Sequence, residues 1–545
     1  MTTSPRLTRR TVLGSGLAAG IGLAAGCRAD DQGGGATGGG ESGSGGSNDI
    51  RPAYIPYDGP EPDLPGDGAI GTPAGFLSYP DPPQSTGRVP LELSAPVEML
   101  MQRNPPVTPH SNNQWWQKIE ADLGADLKIN AVESTQYTAK FQTAVAGNSI
   151  GDLTQYVTVP QLPKLLEATF TDLTPYLSGD NVAKYPNLAN HPSAAWDMCT
   201  VDGKIWGVTN PRVIAGNLLM TRGDVLESKG IDMMPDLSDG EDFLDLCKEV
   251  TDRSKGVFAI GQIPQNWTLP AIIEALGGPN GWLVNDDGTW TSQYETPEFA
   301  QALEIVTQMY EAGVFHPNSY TDLSATPTWF DAGATVLFAQ NFAIWQGLTA
   351  NAKFPCGAVV MPQWEGGGKA AKHLGAPGYG APMAIKKTDD EDRIDELLRV
   401  LDYVASPFGT EEYLTVNYGI RDRQWTLVDS QLQLDNEAYD AELIPGLVYA
   451  GANTAMSLYS PGQSEPTQMA YQYCQDTIPN GVANPQYGRY SDTAGTKGAQ
   501  ANTKLNDLMG AIIQGRSSMT EWEDGVKQWK SAAGDAIARE YAEQG

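Results

Sequence analysis

The sequence predicts an α/β protein built as two lobes. Two observations carry this. From Arg88 onward, strand-type and helix-type periods alternate. The roughly 460 residues that follow are also too many for one compact core. The first elements set the pattern. VPLELSAPV (89–97) alternates apolar and polar residues and predicts a strand. Ser111 to Leu123 predicts a helix, with Ser111 as cap, Trp115, Ile119 and Leu123 on one face, and Gly124 as stop. DLKINAVES (126–134) predicts the next strand. TQYTAKFQTAVAGNS (135–149) predicts a helix with Tyr137, Phe141 and Val145 on one side, and DLTQYVTV (152–159) a third strand. A β-α-β-α-β order implies a parallel sheet with helices on its faces.

The middle and end of the chain supply further elements. NDDG (285–288), between WLV and TWT, predicts a hairpin turn. Its acids lack the spacing of a calcium loop. Thr296, Pro297 and Glu298 form a helix start, with Phe299, Leu303, Val306 and Tyr310 on one face and Gly313 as stop. Ile394, Leu397, Leu401 and Val404 mark another helix, closed by SPFG. Thr520 to Tyr541 is helical in pattern, with Trp522, Val526 and Trp529 on one side. No internal repeat is evident.

The N-terminus has a different character. Arg9-Arg10 precedes a mildly apolar run, Thr11 to Ala25, that ends in LAAGC at Cys27. A basic head, a short apolar segment and a small-residue site describe an export signal. The run is shorter than the ~20 residues a spanning helix needs. The arginine pair resembles a twin-arginine signal, which exports folded proteins. LAAGC resembles a lipobox, whose cysteine is lipidated and becomes the new N-terminus; Ala24 stands where Leu is usual, with Leu23 one place early. A plain secretory signal with a chance cysteine is the alternative. Residues 28–49 are Gly- and Ser-rich and predict a flexible tether, about 25 Å in root-mean-square length at ~5–6 Å × √n. Residues 51–87, rich in Pro and Gly, predict an extended arm over the surface.

Composition excludes several functions. With 35 Lys+Arg against 66 Asp+Glu, the net charge of −31 disfavours nucleic acid and anionic polymers as partners, without excluding a ligand that carries one carboxylate. No P-loop, GxGxxG, GxSxG or HExxH motif is present, so no cofactor, metal site or catalytic residue is assigned. Apart from Cys27, the cysteines are Cys199, Cys247, Cys356 and Cys474, with no CxxC spacing. They fit two disulfides, in three connectivities, or buried thiols.

Several segments carry a resemblance. NNQWWQKIEADLGADLKINAVESTQYTAKFQTAVAGNSIGDL resembles the opening of the extracellular solute-binding proteins of ABC sugar importers. So do DLTPYLSGDNVAKYPNLAN, VDGKIWGVTN, GGPNGWLVNDDGTW with TPEFAQALEIVTQMYEAGVFHPNSY, SPFGTEEYLTVNYGIRDRQWTLVD, and the tail from LNDLMGAIIQG onward. Coverage runs from about residue 88 to the end, and the lipid-anchored aldouronate or oligosaccharide-binding subgroup is the most similar. Two positions depart from the pattern: Gly151-Asp152 replaces a common Pro-Asp, and Gly419-Ile420-Arg421-Asp422 replaces Gly-Ile-Glu-Gly.

The resemblance implies a two-lobe periplasmic-binding-protein-like fold of type II, with hinge crossovers near 210–217, 372–380 and 417–426 and a ligand cleft between the lobes. Lobe 1 would comprise 88–212 and 376–425, and lobe 2 would comprise 213–375 and 426–545. It implies a monomer, tethered to the outer face of the bacterial membrane by a lipid on Cys27. This monomer captures a carbohydrate, neutral or uronic-acid-containing, and delivers it to a permease. An exported polysaccharide-active enzyme and a surface adhesion protein are the rival classes.

Sugar rings stack on aromatic faces and their hydroxyls pair with planar polar groups. Loops after parallel strands hold ligands at the strands' carboxyl ends. The candidates are therefore Asn112, Asn113, Gln136, Tyr137 and Trp206. Gln262, Gln265, Asn266 and Trp267 follow the VFAIG strand. Asn341, Phe342, Trp345 and Gln346 follow TVLFAQ, and Tyr379 sits in GAPGYGAP. Arg421 is the candidate for a sugar carboxylate. Asn112 and Asn113 are equally explained as helix caps, Tyr379 as a hinge residue, and each tryptophan as core. Trp115, Trp522 and Trp529 lie on helical faces and belong with the core.

Overall fold

The computed structural model describes residues 50–68, 70–103, 108–443, 446–454 and 456–544. Arg9, Arg10, Cys27 and the Gly/Ser-rich tether lie outside the described residues.

Two four-stranded sheets organise the chain. The first has the spatial order Met383–Ile385, Leu153–Gln155, Val97–Gln102, Leu127–Val132. Val97–Gln102 is central and runs parallel to both of its neighbours. The second sheet has the order Cys356–Val359, Asn217–Arg222, Thr335–Asn341, Phe258–Ile260. There Asn217–Arg222 is antiparallel to both neighbours, and Thr335–Asn341 pairs in parallel with Phe258–Ile260.

Each sheet is covered on both faces. Val97, Met99 and Met101 of the central strand enter one apolar cluster with Trp115, Ile119 and Leu401, while Leu100 enters another with Tyr137, Phe141 and Phe170. The second sheet divides likewise. Leu219, Val336 and Leu337 pack under Phe299, Leu303 and Trp522, and Leu218, Met220 and Phe338 pack under Trp345 and Tyr473. Burial on both faces explains why the central strand, VEMLMQ, lacks a clean alternation.

Local chemistry sets the helix ends. Asn113, not Ser111, caps Gln114–Leu123: its side chain accepts from the Trp116 N–H, and Gly124 ends the helix at φ 70°. Ser134–Ala146 buries Tyr137, Phe141 and Ala144. Thr296 caps Pro297–Ala312, and Gly313 stops it at φ 74°. Trp282–Val284 and Trp290–Ser292 form the hairpin around NDDG. Glu391–Val404 buries Ile394, Leu397, Leu401 and Val404. The C-terminal pattern divides into Met519–Trp529 and Asp535–Ala542, with Trp522 and Trp529 buried.

Three further expectations change. Residues 89–97 are not a sheet strand: Leu91 and Leu93 bond to the carbonyls of Asp122 and Leu123 at the end of a helix, and the strand begins at Val97. The arm is extended, but part of it is core. Tyr79 is fully buried against Phe408, and its hydroxyl donates to the Thr410 carbonyl at 2.8 Å. Ala74–Gly75 also pairs in parallel with Ser457–Leu458. Finally, Leu443, Leu447, Ala450 and Ala452 pack into the first lobe's core, although the expected boundary put everything after residue 425 in the second.

The four cysteines outside the signal are all buried free thiols. The glycine at 151 has a steric reason: a Cβ there would lie 2.4 Å from the Glu98 carbonyl oxygen. Among the described residues no helix is long and apolar enough to cross a membrane.

Candidate ligand-binding cleft

The chain passes between the sheets through residues 206–216 and returns through 360–382. These passages pair with one another. Val208 bridges Met383, Pro211 bridges Gly378, and the Arg212 N–H donates to the Pro377 carbonyl at 2.9 Å. Backbone contact is close: a Cβ on Gly375 would lie 2.8 Å from the Gly216 Cα. A third passage joins them at 451–458, where the Asn210 amide donates to the Ala452 carbonyl at 2.5 Å. The expected third crossover at 417–426 lies elsewhere, with Trp425 buried among Tyr79, Phe408 and Tyr413.

An aromatic and cationic cluster stands at this junction. The rings of Tyr379 and Tyr449 stack with centroids 4.4 Å apart and planes 17° from parallel. The Arg212 guanidinium carbon lies 5.0 Å from the Tyr379 centroid and 5.9 Å from that of Tyr449. All three side chains are half-buried. Burial raises the Tyr379 phenol above its ordinary pKa. Tyr449 raises it further, and Arg212 pulls it down. Tyr379 lies close enough to Tyr137 to add to the rise that burial imposes on that phenol. Tyr137 in turn donates to the Gln155 and Leu100 carbonyls, at 2.7 and 3.1 Å. Those carbonyls belong to the carboxyl-terminal halves of two parallel strands. The cluster thus occupies the edge where open α/β sheets place ligands.

Four expected site residues belong instead to the packing of the fold. Asn113 is fully buried, capping its helix and donating to the Glu442 carbonyl at 2.7 Å. Tyr137 is fully buried and hydrogen-bonded as described. Trp206 is 3% exposed, with its indole N–H on the Val201 carbonyl at 3.0 Å. Trp345 is 1% exposed, stacked on Phe342, with its N–H on the Pro466 carbonyl at 3.0 Å. Each side chain fills the volume beneath a sheet, and its polar atoms are already engaged.

The remaining candidates are dispersed. Asn112 ends a short turn and is exposed, as is Gln136 on the first turn of its helix. Asn266 is exposed, Trp267 packs partly on the second lobe's core, and Asn341 caps the turn at Phe342–Ile344. Gln265 accepts from the Tyr320 hydroxyl at 2.8 Å. Gln346 is half-buried. Gln262, at the end of Phe258–Ile260, is buried with neither amide atom bonded to protein. Arg421 is exposed, 5.7 Å from the Trp425 ring. Of the predicted residues, Tyr379 alone belongs to the junction cluster. Arg212 and Tyr449 were not predicted; Arg212 lay within an expected crossover, which was the available signal.

A profile of bacterial extracellular solute-binding proteins matches residues 114–419. The chain belongs to this family. Two curated relatives come from Bacillus subtilis (strain 168). Lipoprotein LipO is 22% identical over 466 residues, covering 80% of this chain and 89% of LipO. The polygalacturonan/rhamnogalacturonan-binding protein YtcQ is 20% identical over 446 residues, covering 78% and 86%. Among solved structures, an HMO-binding, ABC-transporter-associated solute-binding protein from Bifidobacterium longum infantis superposes with a TM-score of 0.63. It is 13% identical, and the match covers 82% of this chain and 98% of that one. At that identity the likeness shows the fold, which is the two-lobe binding-protein architecture. The family's two-lobe fold is consistent with the junction cluster lying where the lobes meet.

Proposed function

We propose that this protein is the substrate-binding lipoprotein of an ABC importer and captures an oligosaccharide between its lobes. The observation that carries this reading is the half-exposed Tyr379–Tyr449 stack at the crossovers, on the carboxyl edge of the first sheet. Flat aromatic faces suit the C–H faces of sugar rings. The carbohydrate ligands named for YtcQ and for the B. longum protein support the same ligand class. The mechanism is capture, not catalysis. Ligand binds the closed arrangement better than the open one and shifts the population toward it. The closed form then docks on a membrane permease, and another subunit hydrolyses ATP. The two lobes move as units about the passages at 206–216, 360–382 and 451–458.

The anchor belongs to the same proposal. Arg9-Arg10 directs twin-arginine export, Cys27 carries the lipid, and the monomeric body works on the outer face of the membrane; the likeness to LipO supports the lipid. Cys27→Ala releases the protein from the membrane fraction if this is right.

The deciding experiment is a thermal-shift screen of residues 51–545 against neutral and uronic oligosaccharides, peptides and amino acids. A ligand present at 100 times its Kd adds about 2.7 kcal/mol to native stability and raises Tm. An oligosaccharide that raises Tm and is recovered intact supports capture. A rise with peptides alone overturns the carbohydrate reading, and release of shorter sugars points to an enzyme.

A further inference from the structure

We propose that Arg212 recognises a carboxylate on the captured sugar, so that the ligand is an acidic, uronate-bearing oligosaccharide. This rests on the oligosaccharide reading above and adds its charge class.

Several arginines in this protein meet an acid. Arg88 pairs with Asp402 at 2.8 Å, Arg222 with Asp224 at 2.6 Å, Arg393 with Glu396 at 2.9 Å, and Arg423 with Glu442. With 66 acidic residues against 35 basic ones, such pairing is what composition favours. Arg212 does not meet an acid. Among the described residues no carboxylate pairs with it, and its Nε is buried without a hydrogen-bond partner. A buried donor without an acceptor costs free energy until one is supplied.

Its surroundings show what the acceptor is. Tyr379 and Tyr449 hold the guanidinium by its attraction to their rings, which uses none of its N–H groups. The Arg212 backbone is fixed by the bond to Pro377. The planar fork is thereby pre-oriented at the lobe junction with Nε–H unspent, and a carboxylate is the group that takes two parallel N–H bonds from such a fork. A sugar ring stacked on the tyrosine pair would bring a ring-borne carboxylate to the same place. The overall charge of −31 repels anions at long range, so acceptance of one requires a local cation of this kind. Arg421, the arginine singled out by sequence, is exposed beside Trp425 and is no part of this junction.

The test is calorimetric titration of residues 51–545 with trimers of galacturonate and glucuronate, their methyl esters, and neutral trimers. The variants are Arg212→Gln and Arg212→Lys, each first checked for unchanged apo Tm. The wild type is expected to bind a free uronide at least about tenfold more tightly than its methyl ester, the effect of one charge-assisted hydrogen-bonded contact. Arg212→Gln should bring that acid-to-ester ratio close to one. Arg212→Lys, which keeps charge but not the fork, should retain part of it and serves if the glutamine variant unfolds. Equal binding of acid and ester by the wild type overturns the proposal while sparing the oligosaccharide reading. So does a ratio that survives in Arg212→Gln, or binding of neutral trimers with no uronide bound. Binding of no sugar at all overturns both.

Discussion

Lys372 and Glu274 form a buried ion pair where the returning crossover leaves the second lobe. The ammonium lies 2.9 and 3.2 Å from the two carboxylate oxygens, and the side chains are 7% and 5% exposed. The carboxylate also accepts the His373 N–H at 2.9 Å. Lys372→Met keeps most of the stem volume and removes the charge. Glu274 is then left buried without its ion-pair partner and with one backbone donor, which costs about 3–5 kcal/mol. Adding Glu274→Met removes the stranded charge, and the double variant should return to wild-type stability or exceed it by about 1–4 kcal/mol. Urea unfolding followed by tryptophan fluorescence and by circular dichroism measures the full double-mutant cycle. Using both signals shows whether the lobes unfold together before one free energy is assigned. A Lys372→Met variant within about 0.5 kcal/mol of wild type would refute the reasoning. So would a double variant no more stable than the single, since the penalty would then come from lost packing and not from an uncompensated charge.

Other outcomes follow from the same structure. Trp345→Ala should cost about 3–5 kcal/mol in urea unfolding, because the side chain is 1% exposed and packed on Phe342 and Tyr473. Tyr379→Ala should instead reduce sugar affinity about tenfold in calorimetry, with a smaller stability loss of about 1 kcal/mol. Asn113→Ala should cost about 1–2 kcal/mol in the same unfolding assay, through the lost cap and the stranded Glu442 carbonyl. Burial lowers His191 from 6.5 to about 3 in the fold. The neutral imidazole is therefore favoured natively; its contribution is complete above pH 6.5 and is lost as pH falls toward 3. About 2 kcal/mol should disappear between pH 6.5 and 5, and His191→Gln should flatten that slope of stability against pH.

Elements stabilised by their own neighbours in sequence were legible. Thr296-Pro297 with Gly313, and the NDDG turn between two tryptophan strands, carry their instructions within a few residues. The central strand was missed because it answers to two cores at once. Glu98 and Gln102 are half-buried while Met99, Leu100 and Met101 are all buried, so the run shows no period of two. The preceding VPLELSAPV does alternate, yet its backbone bonds lie along the end of a helix. The arm was read as surface because Pro and Gly dominate it. That composition says nothing of Tyr79, whose hydroxyl reaches the Thr410 carbonyl 331 residues away.

The site is a harder case, for a geometric reason. Arg212 and Tyr379 sit in two passages with no helical or strand period, and Tyr449 lies in the short 3-10 helix Leu447–Ala450 just before the third. No local pattern can relate them, since what they share is a place in space created by the pairing of 208–212 with 377–383 and by the Asn210 bond to Ala452. The tryptophans misled for the opposite reason. Trp345 follows an apolar run and has an amide neighbour, and Trp206 sits in the short GKIWGV segment; both are patterns of a ligand loop, but also of a chain turning inward to cover a sheet. Only the fate of the indole N–H separates the two. In both residues it donates to a carbonyl of the same chain, and a tryptophan so engaged and at most 3% exposed has no face left for a sugar.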